Sequence, residues 1–295
     1  MADDMALLRG VERLGFPGLF AARKELAERK LRERLQERAK IALNIAEQLL
    51  KRDARNKNSP YLKGKNAAEL AALLWMLETG SREEAGGDEY EEVLDGVSAV
   101  LLSLYRERRA LPYAVDMIFL RAKRGHDYHD LFWAVSRFGD PYALKLLAKR
   151  LDAPEAETAA LARRLLGMDA VEANAVRSKE YEAWLEENDP FLYFTGESLQ
   201  YSARPAVCRV DLERKYAGRE SRAYERQPFE PQNDEERKRL AEFKALPEPT
   251  RTALADYAHA LRAKDPEAWA RFKKQPVAHQ AEAANRRGGN APWSI

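Results

Sequence analysis

Apolar residues recur at steps of three and four along most of this chain, the spacing of one face of an α-helix. Over residues 20–52 the recurrence passes through Leu31, Leu35, Ala39, Ala42, Ala46 and Leu49 and predicts one long helix. Its first half, ARKELAERKLRERLQERAK, is densely charged with a narrow apolar seam. Such a helix projects from the body or pairs in a coiled-coil manner. Upstream, Gly15, Pro17 and Gly18 set off residues 5–14 as a short helix of their own. Residues 53–65, DARNKNSPYLKGK, read as a polar, basic loop.

Asn66 is placed to cap the next helix, with Glu69 three residues on as in a capping box. Leu70, Leu73, Leu74 and Leu77 form its stripe and Gly80 ends it. A wide core-facing stripe of Tyr90, Val93, Leu94, Val97, Val100, Leu101 and Leu104 marks the following helix. A rhythm then sets in. Pro112 opens a helix that stops at Gly125, and Asp127 caps one that stops at Gly139. Asp140-Pro141 opens one ending near Leu151, Asp152 caps one that stops at Gly167, and Asp169 begins one reaching about Leu185. Cap residues, first-turn prolines and terminal glycines are the expected punctuation of helices.

Within this run the stretch FGDPYALKLLAKRLDAPEAETAALARRLLGM, residues 138–168, resembles a HEAT-type helical repeat: a Gly-Asp-Pro start, an apolar first helix and an alanine-rich second one. The resemblance covers about 31 of 295 residues and implies stacked antiparallel helix pairs. A solenoid needs about three or more such units; an irregular helical bundle fits the same rhythm.

The character changes after Leu185. Residues 186–232 hold Pro190, Pro205, Pro228 and Pro231 and little helical periodicity, yet Phe191, Tyr193, Phe194 and Tyr201 fall within 11 residues. They read as an extended aromatic arm lying over a surface. Helices resume near Asp234; Thr250 is placed to cap a helix with Leu254, Tyr257 and Leu261, and Asp265-Pro266 to open a last one with Trp269 and Phe272. The polar end, with a terminal Pro-Trp-Ser-Ile, reads as disordered. The organisation expected is therefore 1–65, a charged helix and basic loop; 66–185, a helical core; 186–232, the arm; 233–274, C-terminal helices; and 275–295, a tail.

Composition narrows the fold class. Ile, Val and Thr make up only 20 of 295 residues, and strands favour these types. The fold expected is all-α: stacked antiparallel helix pairs, solenoid-like or as an irregular bundle, with a long N-terminal helix and an extended C-terminal arm. The net charge of +2 hides bands: +7 over residues 1–66, −7 over 67–106, +3 over 107–152, −5 over 153–190 and +4 over 191–295. Alternating blocks can pair within a chain or between copies. No apolar run approaches 18 residues, and the start lacks the features of a signal peptide. A cytoplasmic setting without a membrane partner is the expectation.

Candidate chemistry is sparse. His126, His129 and Asp130 could share a helix face on a divalent metal. The His129-Asp130 pair invites comparison with HD phosphohydrolases, but no His precedes His126 to supply their upstream ligand. Asp127 has a simpler role as a cap, so the metal reading is a weak candidate. The single cysteine, Cys208, has no base beside it in sequence and reads as a small buried apolar residue. The acids Glu83, Glu84, Asp88, Glu89, Glu91 and Glu92 read as solvated, and no phosphate-cradling loop occurs. Neither a catalytic set nor a cofactor is expected.

Two surfaces remain. Lys51, Arg52, Arg55, Lys57, Lys63 and Lys65, with the neighbouring basic helix, could touch phosphates, though only Tyr61 is placed to stack on a base. Phe191, Tyr193, Phe194, Tyr201 and the terminal Trp293 could anchor a protein interface. The function expected is a non-enzymatic scaffold or assembly subunit that binds protein partners or its own copies. Association with nucleic acid through the basic segment is the alternative.

Overall fold

The computed structural model describes residues 2–51, 66–82, 87–168, 176–221 and 223–286. Among them the chain forms fifteen α-helices and one two-stranded sheet, so the fold is predominantly all-α. It divides into two compact units, Met1–Phe138 and Gly139–Ile295.

The first unit begins with α1 (Ala2–Ala21), kinked at Gly15. Gly15 takes φ 71°, and a Cβ there would lie 2.6 Å from Thr79 Cβ. The kink lets Phe16 N–H donate to Thr79 Oγ1 at 2.9 Å and buries the Phe16 ring against Phe20, Trp75 and Tyr90. The break expected at Gly15 and Pro17 is there, but Pro17 sits in a second helical segment rather than a loop.

The long helix expected over residues 20–52 is broken into α2 (Arg23–Glu28), a 3₁₀ turn (Arg32–Arg34) and α3 (Glu37–Leu50). Lys30 adopts φ 56°, and Leu31 N–H closes back on Leu26 O. The turns bury Leu26, Leu31 and Leu35, which a straight charged helix would leave on a narrow seam. Burial of three leucines outweighs i,i+4 charge pairs that stabilise an exposed helix by about 0.2–0.5 kcal/mol each.

Next come α4 (Ala67–Gly80) and α5 (Gly87–Ala99), the latter continuing into a π-helical turn at Val100–Leu104. Asn66 caps α4 through Ala68 N–H at 2.9 Å. Glu69 does not close the expected box; its carboxylate instead meets Asn66 Nδ2 and accepts from the Tyr105 hydroxyl. Gly80 leaves room for the Tyr90 ring, whose hydroxyl donates to Gly80 O at 3.1 Å. The unit closes with α6 (Leu111–Arg124), ended by left-handed Gly125, and α7 (His129–Phe138).

The second unit opens with α8 (Pro141–Ala148), capped by Asp140 through Tyr142 N–H at 2.8 Å. A 3₁₀ turn, Lys149–Asp152, leads to α9 (Ala156–Leu165). Asp152 does not cap α9; its carboxylate accepts from Ser178 N–H, at the start of α10 (Ser178–Asn188). The start expected at Asp169 lies outside the described residues.

Residues 186–232 are not an extended arm. They fold into an antiparallel pair, β1 (Leu192–Phe194) with β2 (Cys208–Val210), in the register Leu192↔Val210, Tyr193↔Arg209 and Phe194↔Cys208, followed by α11 (Leu212–Ala217). The cause is burial: Phe191, Leu192, Val207, Cys208 and Tyr216 all enter the core.

A C-terminal bundle follows: α12 (Asp234–Lys244), α13 (Glu248–Lys264), α14 (Pro266–Lys273) and α15 (Val277–Arg286). With α11 they enclose Tyr216, Leu240, Phe243, Leu254, Ala258 and Phe272. Tyr216 stacks on Phe243 with centroids 4.5 Å apart. Thr250 lies inside α13 rather than at its cap, because Pro249 already fits the first turn. The disorder expected over residues 275–295 is corrected as far as residue 286 by α15, which buries Val277, Gln280, Ala281 and Ala284; residues 287–295 lie outside the described residues.

Candidate interaction site

The loop joining β1 to β2 is stapled by its own polar groups. Thr195 N–H donates to Val207 O at 3.0 Å and its hydroxyl to Ala206 O at 2.6 Å. Ala206 N–H donates to Glu197 Oε2 at 2.9 Å, and Glu197 N–H to Thr195 Oγ1 at 3.0 Å. Tyr201 and Ser202 N–H groups both reach Ser198 O at 3.1 Å, and Ser198 and Pro205 are buried. Gly167, at φ 71°, brings the end of α9 against Pro205 O. From this fixed base Tyr201 projects with 81% of its surface exposed.

The other aromatics of the expected interface have different fates. Phe191 is 1% exposed and meets the His259 ring edge-on at 5.1 Å, so it is core and not a partner anchor. Tyr193 is half-buried beneath the Arg226 guanidinium, and Phe194 packs edge-on against Tyr224. Trp293 lies outside the described residues.

Beneath the hairpin, Lys215 on α11 is 1% exposed. Its Nζ lies 2.7 Å from Asn188 Oδ1, 2.5 Å from Asp256 Oδ1 and 3.6 Å from Glu187 Oε1. His259, one turn beyond Asp256, has its pKa held down by burial and then by the Lys215 charge. The arrangement ties α10, α11 and α13 together. Burial pushes the Cys208 thiol up to about 12, with the Asp189 charge adding to it, which removes thiolate at neutral pH.

In the first unit the His cluster is drawn into a charge network. His126 Nδ1 lies 2.8 Å from Glu91 Oε1, and Asp127 Oδ1 accepts from His129 N–H at 2.9 Å, so Asp127 is a cap. Among the described residues no three His, Cys, Asp or Glu side chains are placed to hold a metal ion, and His126, His129 and Asp130 are not brought together as ligands. Glu91, expected to be solvated, is half-buried and engaged by His126, whereas Glu89 stays exposed while pairing with Arg23. Buried Arg121 reaches Asp95 at 2.7 Å and donates to Glu91 O at 3.0 Å. Burial raises the Asp95 carboxyl to about 6 against the pull of Arg121.

Lys51 is exposed at the end of α3, whereas Arg52, Arg55, Lys57, Lys63 and Lys65 lie outside the described residues. On the neighbouring segment, Arg29 meets Asp3, Asp4 and Glu25, and Arg32 meets Glu47. Sequence reasoning did not find a pocket of about 540 Å³ lined by Leu14, Pro17, Phe20, Arg23, Glu89 and Tyr90, with Leu14 58% exposed at its edge. Its residues come from α1, the start of α2 and α5, and no local pattern links them.

Among the described residues no helix is long and apolar enough to cross a membrane. No protein-family model, no curated protein and no solved structure matches the chain.

Proposed function

We propose that this protein is a non-enzymatic, cytoplasmic helical scaffold that binds a protein partner or its own copies through the Tyr201 loop. The observation that carries the reading is an aromatic side chain 81% exposed on a loop whose backbone is held by its own hydrogen bonds. A tyrosine presented this way loses little conformational freedom on binding, and aromatic anchors dominate interface energetics. The helices α8 and α9, in the segment resembling a HEAT-type repeat, supply a packed platform in the same unit. Self-assembly is the form of binding that the banded charge favours.

The test is sedimentation equilibrium over a wide concentration range, on wild type and Tyr201→Ala. Removing a central anchor costs about 2 kcal/mol, so association should weaken roughly 30-fold, while unfolding stability changes by less than about 0.5 kcal/mol at so exposed a position. If wild type stays monomeric throughout, a photo-crosslinking residue at position 201 should capture one discrete partner in cells. Absence of both an oligomer and a discrete adduct refutes the proposal.

A further inference from the structure

The pocket of the first unit owes its shape to the kink at Gly15. Positions four apart on a regular helix hold their Cβ atoms about 5–6 Å apart. Across the kink, a Cβ at Gly18 would lie only 2.5 Å from Leu14 Cβ. The bare backbone of Gly18 is therefore what lets Leu14 lie across it, and both line the hollow of about 540 Å³. Buried Phe20 and Tyr90, edge to face with centroids 5.3 Å apart, belong to the same lining. Leu14 itself is left 58% exposed, an apolar wall with no cover.

Charge selects what the hollow takes. Its lining holds one cation, Arg23, and two carboxylates, Asp88 and Glu89. Arg23 is engaged: its guanidinium carbon lies 3.9 Å from the Phe20 ring centroid, Nη1 donates to Phe20 O at 2.9 Å, and Nη2 pairs with Glu89. Asp88 has, among the described residues, no cation within 4 Å. One uncompensated negative charge thus stands beside an apolar space. The volume is that of a small-molecule site. Ten residues line it, against about 20–30 on each side of a stable protein interface, so a small molecule fits it better than a protein surface does.

We propose that this pocket binds a small molecule with an apolar body and one protonated amine. The body lies among Leu14, Pro17 and Phe20, where it takes Leu14 out of water, and the amine pairs with Asp88. A carboxylate in place of the amine meets that same charge as a repulsion. The site lies wholly within the first unit and does not depend on any role of the Tyr201 loop.

The test is a saturation-transfer NMR titration of the full chain at pH 7 with phenylbutylamine, phenylbutanol and phenylbutyrate, which share one apolar body and differ in charge. The amine should bind at millimolar concentration or below, the alcohol at least threefold and the acid at least tenfold more weakly. Asp88→Asn should erase the advantage of the amine over the alcohol. Ala21→Trp, at an exposed lining position at the end of α1, should fill the hollow and weaken amine binding at least tenfold with an unchanged circular dichroism spectrum. Leu14→Ala should weaken all three compounds that bind. Asp88 and Leu14 are exposed, so those two variants keep the test decisive even where Ala21→Trp disturbs the fold. No amine binding at millimolar concentration, an alcohol or acid that binds as well as the amine, or amine affinity unchanged in all folded variants overturns the proposal.

Discussion

Lys215 Nζ lies 2.5 Å from Asp256 Oδ1, 41 residues along the chain, with the lysine side chain 1% exposed. Taking one partner from such a pair strands the other charge, which costs about 3–5 kcal/mol. Asp256 keeps some solvent contact, so Asp256→Asn should cost less, about 1–2 kcal/mol. Lys215→Ala should cost about 3 kcal/mol. The double variant Lys215→Met, Asp256→Leu should recover more than half of that loss, since a packed apolar pair has no charge to strand. Urea denaturation followed by tryptophan fluorescence gives these differences; a Lys215→Ala loss under about 1 kcal/mol contradicts the keystone role.

His259 makes the second unit sensitive to acid. Burial and Lys215 hold its pKa below the ordinary 6.5, so the unfolded chain binds the proton more readily. The associated stability is complete above pH 6.5 and is lost as pH falls through the folded value. Charged groups facing the ring are Lys215 and Arg262, which oppose protonation, and Glu187 and Asp256, which favour it. His259→Gln should flatten the fall of the urea midpoint between pH 7 and pH 5. An unchanged slope removes His259 as its source.

Asp95 acts in the opposite sense in the first unit. Its folded pKa, raised from 3.8 to about 6, means that the folded form holds the proton more tightly. Its contribution is fully present below pH 3.8 and is lost as pH rises through about 6. One pKa unit corresponds to about 1.4 kcal/mol, and the carboxyl remains 26% exposed, which lowers the effect to roughly 1–2 kcal/mol. Asp95→Asn should remove this loss. Backbone amide exchange in α5 and α6, followed across pH 4 to pH 7, reports it without interference from the second unit.

Gly15→Ala should be among the most disruptive single substitutions. The change combines a left-handed φ of 71° with a Cβ placed 2.6 Å from Thr79 Cβ. Strain of this kind costs about 1–3 kcal/mol before any steric term. Thermal unfolding should show a clear fall in midpoint, whereas Gly10→Ala, with nothing within 4 Å of the new methyl, should raise it slightly or leave it unchanged.

Local chemistry was legible in the sequence; distant partnership was not. Asp140, Pro141 and Gly125 announce helix ends because caps and left-handed terminators act over two to four residues. The helices around Leu73 and Val97 follow from apolar spacing for the same reason. Lys30 breaks a helix that its own neighbours favour, because Leu26, Leu31 and Leu35 find a core contributed from elsewhere in the unit. Gln280 hid α15, since a polar side chain occupies the middle of the Val277, Ala281, Ala284 stripe. The fold buries it to accept from Tyr216 Oη and donate to Gln275 O. Phe191 and Tyr201 look alike in sequence, yet pairing of β1 with β2 sends one inward and leaves the other in solvent. Arg262 and Lys273 could not be placed at one helix end without the bundle that brings α13 and α14 to α11.

The pairing of Phe194 with Cys208 gives this protein an internal clock. Cys208 is the chain's single thiol, and it is buried in the strand that closes the Tyr201 loop. A thiol-specific dye can react there only in the moments when β2 peels away, because the closed state offers neither access nor thiolate. The rate of modification therefore counts openings of the hairpin, one site per molecule. Any molecule that settles on the loop and holds it shut slows that count, whatever its own spectral properties.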